Sequence, residues 1–391
     1  MPRSLRIVNS AQPHEVMRWL QRSLDDDGPA VLPRPGAAPE IPSLSLDEDE
    51  DNLALVIETS GSTGTPKRVG LSAEALRASA DASTRALGVS GQWLLALPTH
   101  YIAGASVLVR SLIAGTAPVF FVGDHFDPVR FAKCADTMTH DNRLTALVPV
   151  QLARLVSAME AGASDVAAAL RRFEAILVGG QSLPVELATR ARDQGLRITT
   201  TYGSSETAGG CVYDGVPFHG VTVRSVAGQL AVSGPTLARG YLGDPARTER
   251  TFVNVDGQRW YQTGDLGTVS AGVVTVHGRI DNVIISGGEK VLLDEVERRV
   301  REQPGFTRAV VVAAPDPQWG TVPVVVVPAE DLHASWDIVA LRHLIATDLG
   351  RAAAPSRIEQ LSTFPVLDSG KPDRLRITAI VTSPTDEHST P

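Results

Sequence analysis

The sequence predicts a large N-terminal α/β domain, built of parallel β-sheets flanked by helices plus a small β element, followed by a small α+β C-terminal domain. Three observations carry this. From Ser72 to Gly180, short apolar runs (WLLALP at Trp93, APVFFV at Ala117, LTALVP at Leu144, AILVGG at Ala175) alternate with helix-patterned stretches. Such alternation is the mark of parallel strands, because each crossover carries a helix that covers the sheet. After Tyr202 the texture changes: VTVRSVAGQLAVSG and GTVSAGVVTVHG alternate with period two between Gly turns, as small antiparallel units do. After Asp281, VLLDEVERRVREQ reads as a charged amphipathic helix, RAVVVAAP and TVPVVVVP as strands, and IVALRHLIATDLG as another helix.

Taken in order, Val16, Trp19, Leu20 and Leu24 stand at helical spacing, which predicts an amphipathic helix over Pro13–Leu24. Pro33 to Asp51 reads as a connector, with the acidic run Asp47–Asp51 as a solvated face. LALVIETSGSTG then passes from an apolar strand directly into a Gly/Ser/Thr loop. The expected division is 1–280 for the N-terminal domain and 281–380 for a mobile C-terminal domain, with a disordered tail over 381–391. No internal repeat is visible.

Composition narrows the function classes. A chain of 391 residues suits two or three domains, and 43% hydrophobic with 20% charged residues is an ordinary globular balance. The net charge of −8 and the lack of a dense basic tract argue against a nucleic-acid-binding surface. Cys134 and Cys211 lie far apart, with no ligand cluster that would suggest zinc. The N-terminus MPRSLRIVNSAQPHE lacks the apolar core of a secretory signal, and runs such as Val322–Val327 are too short for a membrane helix. The expectation is a soluble cytoplasmic protein without a membrane span; a homo-oligomer is left open.

Chemistry enters at ETSGSTGTPKRV, Glu58 to Val69. A loop of Gly, Ser and Thr after a strand can aim several N–H and O–H donors at one phosphate, and Lys67 adds a point charge. The pattern is not the GxxxxGK[ST] loop: Pro66 stands at its second glycine and Arg68 at its Ser/Thr. Taken alone, the loop also reads as a flexible polar turn. It is followed in order by TTYGSSETAG (Thr200–Gly209), RWYQTGDLG (Arg259–Gly267), GRIDNVIISGGEKVLLDEVE (Gly278–Glu297) and PVLDSGKPDR (Pro365–Arg374).

Together these motifs resemble the ordered core motifs of the acyl-adenylate-forming superfamily, which holds acyl- and aryl-CoA ligases, peptide-synthetase adenylation domains and luciferases. The resemblance runs from about Glu58 to Arg374. It implies an enzyme, an ATP-dependent acid–thiol ligase with ATP, Mg2+ and coenzyme A, whose partners are these small molecules and a carboxylic acid. By the same resemblance Thr59, Ser60, Gly61, Ser62, Thr63, Gly64 and Lys67 orient the β- and γ-phosphates. Gly179, Gly180 and Gln181 form the adenine-side turn, Tyr202 stacks on the purine, and Gly203, Ser204 and Ser205 complete that motif, Ser205 standing where Thr is more usual. Glu206 is implied as catalytic magnesium ligand, Asp265 and Arg279 as ribose-binding, and Lys371 as the catalytic lysine. Asp281 falls at the family's hinge, about which the small domain turns between half-reactions. Ser286, Gly287 and Gly288 fall on its coenzyme A path, and the active site is expected at the domain interface. Each residue also has a plain structural reading: a Tyr on a turn, a capping Glu, a turn-forming Asp beside Gly, a solvated Lys, a Gly turn before the helix near Leu293.

Within the superfamily, the short stretch before Thr59, the segment Leu97–Thr116 and the segment Thr145–Val156 resemble the short actinobacterial o-succinylbenzoate–CoA ligases of menaquinone biosynthesis. A His commonly occupies the place of Tyr101 there; here His100 precedes it. This implies an acid site involving His100, Tyr101, Gln151 and Gly179. Another aryl- or acyl-CoA ligase, an enzyme loading a carrier protein, and a non-catalytic nucleotide-binding regulator remain alternatives at this point.

Overall fold

The computed structural model describes residues 4–36, 52–59, 66–121, 123, 125–331, 337–367 and 371–383. Two compact units emerge: Met1–Val226, Leu230–Thr263 and Val269–Thr275 form the first, and Ala227–Gln229, Gly264–Thr268 and Val276–Pro391 the second. The acidic run Asp47–Asp51 and the last eight residues lie outside the described residues.

The first unit opens with β1 (Leu5–Asn9), α1 (Pro13–Leu24) and β2 (Ala30–Arg34), a β–α–β unit with β1 and β2 parallel. Val16, Leu20 and Leu24 bury one face of α1, as the spacing predicts, and Pro13 starts the helix where its missing N–H costs nothing. The expected connector from Pro33 begins later, because Pro33 and Arg34 pair with Val8 and Asn9 as the end of β2. A proline is tolerated there: the pairing of β2 with β3 (Leu53–Thr59) is centred on Val31 and Leu55. With β4 (Lys67–Ser72) and β14 (Gly240–Tyr241) these strands form a sheet of order β1-β2-β3-β4-β14.

The second sheet holds β5 (Gln92–Leu95), β6 (Val119–Phe120), β7 (Arg143–Leu147), β8 (Phe173–Gly179), β9 (Ile198–Ser204), β10 (Gly209–Tyr213) and β11 (Val216–Pro217), in the order β11-β10-β9-β8-β7-β5-β6. From β6 to β9 every pairing is parallel, as the strand–helix alternation predicts, and β10 and β11 turn antiparallel. The helices of this unit are α2 (Ala73–Leu87), α3 (Ile102–Ile113), α4 (Pro128–Asp136), α5 (Pro149–Glu160), α6 (Ser164–Arg171), α7 (Val185–Asp193) and α8 (Pro245–Thr251). One core joins α1–α3 to the first two sheets, and another joins α4–α7 to the other face of the second sheet. A third sheet holds β12 (Thr222–Val226), β13 (Gln229–Ser233), β15 (Phe252–Val255), β16 (Gln258–Ser270) and β17 (Val273–Arg279).

In the second unit β18 (Val283–Ser286), β19 (Glu289–Leu292), β20 (Val310–Asp316), β21 (Gly320–Pro328) and β22 (Ile358–Leu361) form one sheet. Its strands explain the unbroken valine runs. Val311, Val325 and Val327 pack with α9 (Leu293–Arg301) and α10 (Ile338–Leu349), while Val310, Val312, Val324 and Val326 pack with Ile377 and Val381 of α11 (Arg374–Thr382). Both faces are covered, so alternation disappears from the sequence. Burial of Val381 also carries α11 two residues into the expected tail.

Arg143 shows how tightly the first unit is satisfied. Buried to 5% exposure, its guanidinium donates to the carbonyls of Ala135 and Met138 at 2.9 Å and of His140 at 3.2 Å, closing the C-terminal end of α4. Arg143→Leu should lower stability in urea unfolding by about 2–3 kcal/mol, since those carbonyls lose their donors. An unchanged midpoint would contradict this role.

Candidate active site

The antiparallel register of β3 and β4 sets Glu58 opposite Arg68 and Thr59 opposite Lys67. Ser60, Gly61, Ser62, Thr63 and Gly64 of the Gly/Ser/Thr motif lie outside the described residues, between these two paired strands in sequence. Lys67 and Val69 share a face of β4, and Tyr241 of β14 pairs with Val69. The Tyr241 ring thereby comes to 5.9 Å from Lys67 Nζ. Its hydroxyl donates at 2.9 Å to Oε1 of Glu206, which is 8% exposed on the turn after β9. Ala238 N holds the same turn by donating to the Glu206 carbonyl at 2.8 Å. Burial first, and then the charge of Glu206, pushes the Tyr241 hydroxyl far above the ordinary tyrosine value, so it stays a neutral donor. Lys67, Tyr241 and Glu206 thus form one cluster. Sequence reasoning missed Tyr241, because only a two-residue strand brings it there.

On the opposite face of the hairpin, Glu58 accepts from Arg34 Nε at 2.7 Å and Arg68 Nε at 3.0 Å. This ties the ends of β2, β3 and β4 together beside Thr59.

At the end of β8, Gly179 pairs with Thr201, and a Cβ there would lie 2.1 Å from Thr201 Oγ1. A Cβ on Gly203 would lie 2.1 Å from the carbonyl of Gly209. The nearer reason for these two glycines is therefore strand spacing rather than room for a ligand ring. Gly180 (φ 81°) and Gln181 follow at the strand end, and Tyr202 on β9 is half-buried against the main core. Ser204 and Ser205 close β9 and open the turn, where Thr207 Oγ1 accepts from Ser204 N at 2.9 Å.

The rings of His100 and Tyr101 meet tilted, with centroids 4.2 Å apart, immediately before α3. His100 Nδ1 lies 3.0 Å from Ser10 Oγ, and Thr99 Oγ1 donates to the Ser10 carbonyl at 3.0 Å, so this turn is pinned to the end of β1. Gln151 is more committed than the sequence suggests. Its Oε1 accepts from Val148 N at 3.0 Å and its Nε2 donates to the Ala96 carbonyl at 2.9 Å. It closes the start of α5 and leaves one N–H for any other partner.

In the second unit, Asp265 sits inside strand β16 rather than on the Gly turn expected for it; Gly264 adopts a positive φ of 72° within the strand. Arg279 bridges Asp265 (3.0 Å) and Asp281 (3.1 Å). Asp294 fixes the neighbouring backbone, accepting from Arg279 N at 2.9 Å and from Asn282 Nδ2. Gly287 and Gly288 form the two-residue turn between Ser286 and Glu289, both with positive φ, the left-handed pair that tight hairpins favour. The Trp319 ring lies against Gly287, leaving a Cβ only 2.4 Å of space; no sequence signal marks that contact. Lys371 follows residues 368–370, which lie outside the described residues. Its carbonyl accepts from Leu367 N at 2.8 Å, Val366 bridges Pro372, and burial holds its ammonium below the ordinary lysine value.

With this geometry in place, the similarities are specific. A family described as AMP-binding enzyme matches residues 7–226, and its C-terminal domain matches residues 295–371. A probable 2-succinylbenzoate–CoA ligase of Mycobacterium tuberculosis H37Rv is 37% identical over 382 residues, covering 95% of this chain and 96% of that protein. A 2-succinylbenzoate–CoA ligase of Listeria monocytogenes is 29% identical over 354 residues, 86% of this chain and 72% of that protein. Among solved structures, the o-succinylbenzoate–CoA synthetase of Bacillus subtilis with its acyl-adenylate intermediate superposes with a TM-score of 0.73 at 25% identity, covering 95% of this chain and 82% of that one. This chain belongs to the AMP-binding enzyme family of acyl-adenylate-forming ligases.

Proposed function

We propose that this protein is an ATP-dependent 2-succinylbenzoate–CoA ligase of menaquinone biosynthesis that works through an acyl-adenylate. The observation that carries the reading is the likeness to a short ligase of that kind over nearly the whole of both chains. The Lys67–Tyr241–Glu206 cluster supports it from the geometry.

In the first half-reaction an oxygen of the acid's succinyl carboxylate attacks the α-phosphorus of ATP, forming acyl-AMP and releasing pyrophosphate. In the second, the coenzyme A thiolate attacks the acyl carbonyl, and AMP leaves. Thr59 and Lys67 flank the loop assigned to the phosphates, Lys67 as a point charge. Tyr202 offers its ring to adenine, and Asp265 with Arg279 serves the ribose. Lys371 carries the charge that stabilises the first transition state. Asp281 acts as the hinge, and Ser286, Gly287 and Gly288 line the thiol path. His100, Tyr101 and the remaining N–H of Gln151 serve the acid.

Glu206 fits Mg2+. One carboxylate oxygen is held by Tyr241, leaving the other for a cation, and Mg2+ is commonly held by one or two carboxylates together with substrate phosphates. Among the described residues no group of three or more His, Cys, Asp or Glu side chains offers a self-contained metal site. When bound, the ion neutralises phosphate charge. Among the described residues, too, no helix is long and apolar enough to cross a membrane.

The acid assignment is tested by AMP formation with a panel of carboxylic acids, with and without coenzyme A. A site that satisfies the second carboxylate should prefer 2-succinylbenzoate over 4-phenyl-4-oxobutanoate by about 10²-fold or more in kcat/KM, because the analogue leaves buried donors unpaired. Equal use of benzoate or hexanoate would overturn the acid while leaving the ligase.

Lys371→Ala should lower acyl-AMP formation roughly 10²–10³-fold, while coenzyme A thiolysis of supplied acyl-AMP survives. Equal damage to both steps would contradict the role. Because burial lowers the lysine's pKa, the wild-type adenylation rate should fall with rising pH earlier than a solvated lysine would allow.

Tyr241→Phe removes the donor to Glu206. The Mg2+ concentration needed for pyrophosphate exchange should rise about 10–100-fold. An unchanged requirement would separate Tyr241 from the metal site.

A further inference from the structure

Lys371 has no rigid element of its own. It is placed by the Leu367–Lys371 backbone bond, the Val366–Pro372 bridge and a bond from Asp373 N to the Pro365 carbonyl at 3.0 Å. A lysine's four-carbon stem and rotatable ammonium give little directional precision, so its placement must come from the backbone that carries it. Three residues on, α11 begins at Arg374, and this arginine is fixed in an unusual way.

Arg374 Nη1 donates to the Val311 carbonyl at 3.1 Å, and Nη2 donates to Glu297 Oε2. The same Glu297 oxygen accepts from Val311 N at 2.9 Å. One arginine and one glutamate thus grip both backbone groups of a single residue near the start of β20. Glu297 is 6% exposed, and its other oxygen takes Arg301 Nη2 at 2.9 Å. Arg301 is itself fixed by donating from Nε to the Ala309 carbonyl at 2.6 Å. Two cations and a backbone N–H share the buried carboxylate.

Holding α11 on the sheet does not require this. Ile377 and Val381 already bury against Val310, Val312, Val324 and Val326, and Asp373 caps the helix by accepting from Arg376 N at 3.1 Å. A buried ion pair is a poor source of net stability compared with apolar packing, but it fixes position and direction. Arg374 fixes the first residue of the helix, the point nearest Lys371.

We propose that Glu297 and Arg374 are positioning residues for adenylation, setting the backbone that presents Lys371 by clamping it to Val311 of β20. This rests on the reading of Lys371 as the adenylation lysine. Neither residue is assigned contact with substrate; their effect passes through the chain from 374 to 371.

The test uses the full-length enzyme with Arg374→Lys, Arg374→Ala and Glu297→Gln, and Lys371→Ala as reference. Acid-dependent pyrophosphate exchange reads adenylation, supplied acyl-AMP reads thiolysis, and thermal unfolding reads integrity. All three clamp variants should lower adenylation kcat roughly 10- to 100-fold, with the KM values for ATP and acid little changed. Thiolysis should stay near wild type, and ethylguanidinium should restore part of the adenylation lost in Arg374→Ala. Parallel loss of both half-reactions, or no loss in either, overturns the positioning role. If Lys371→Ala itself damages both steps equally, the lysine assignment fails instead, and the clamp loses its function with it. Should Arg374→Lys or Arg374→Ala unfold, Glu297→Gln, which keeps the acceptor for Val311 N and the side-chain shape, decides alone.

Discussion

Everything at the candidate phosphate site depends on the pairing register of one strand, β4. Its antiparallel match to β3 sets Thr59 across from Lys67, and its antiparallel match to β14 sets Val69 across from Tyr241. Side chains alternate faces along a strand, so a slip of one residue would turn Lys67 away from Tyr241 and toward the Glu58 side. The apolar residues on this strand guard against that slip. Val69 and Leu71 are fully buried in the same core as Ile57 and Leu55, and a shifted register would turn Val69 and Leu71 out of it. The energy that fixes the site is therefore hydrophobic, although the groups it places are polar.

Three glutamates show how carboxylates are partnered for different ends. Glu58 is answered by two arginines at the end of β3 beside Thr59, and Glu297 by two arginines and a backbone N–H. Glu206 instead accepts from a neutral tyrosine. A carboxylate fully paired with cations has little to offer a metal. One held at a single oxygen by a neutral donor keeps its other oxygen for a cation, as a magnesium ligand requires.

Much of the architecture was legible in the sequence because it is local. Pro13–Leu24 is helical from end to end as its spacing says, and the apolar runs at Trp93, Leu144 and Ala175 are parallel strands. The strand Leu5–Asn9 went unread, since LRIVN is too short and mixed to stand out without α1 and β2 beside it. Pro33 reads as a loop residue in sequence, because a proline within a strand is tolerated only through a pairing detail. Asp265 was assigned to a turn from its neighbour Gly264, whose positive φ is instead absorbed inside a strand. At the site, ordered motifs gave the resemblance, but the partners of those motifs did not show. Tyr241 reaches Glu206 across 35 residues and Arg374 reaches Glu297 across 77. Such contacts are set by strand order and register, which no local pattern encodes.

In the proposed reaction the acid is activated at its succinyl carboxylate by attack on the α-phosphorus. Oxygen tracing follows that bond. With 2-succinylbenzoate carrying 18O only in the succinyl carboxylate, turnover with ATP and coenzyme A should deliver one labelled oxygen to AMP, because the attacking oxygen leaves with AMP at thiolysis. Unlabelled AMP would place activation at the aromatic carboxylate, and label in inorganic phosphate with ADP as the nucleotide product would contradict the adenylate route altogether.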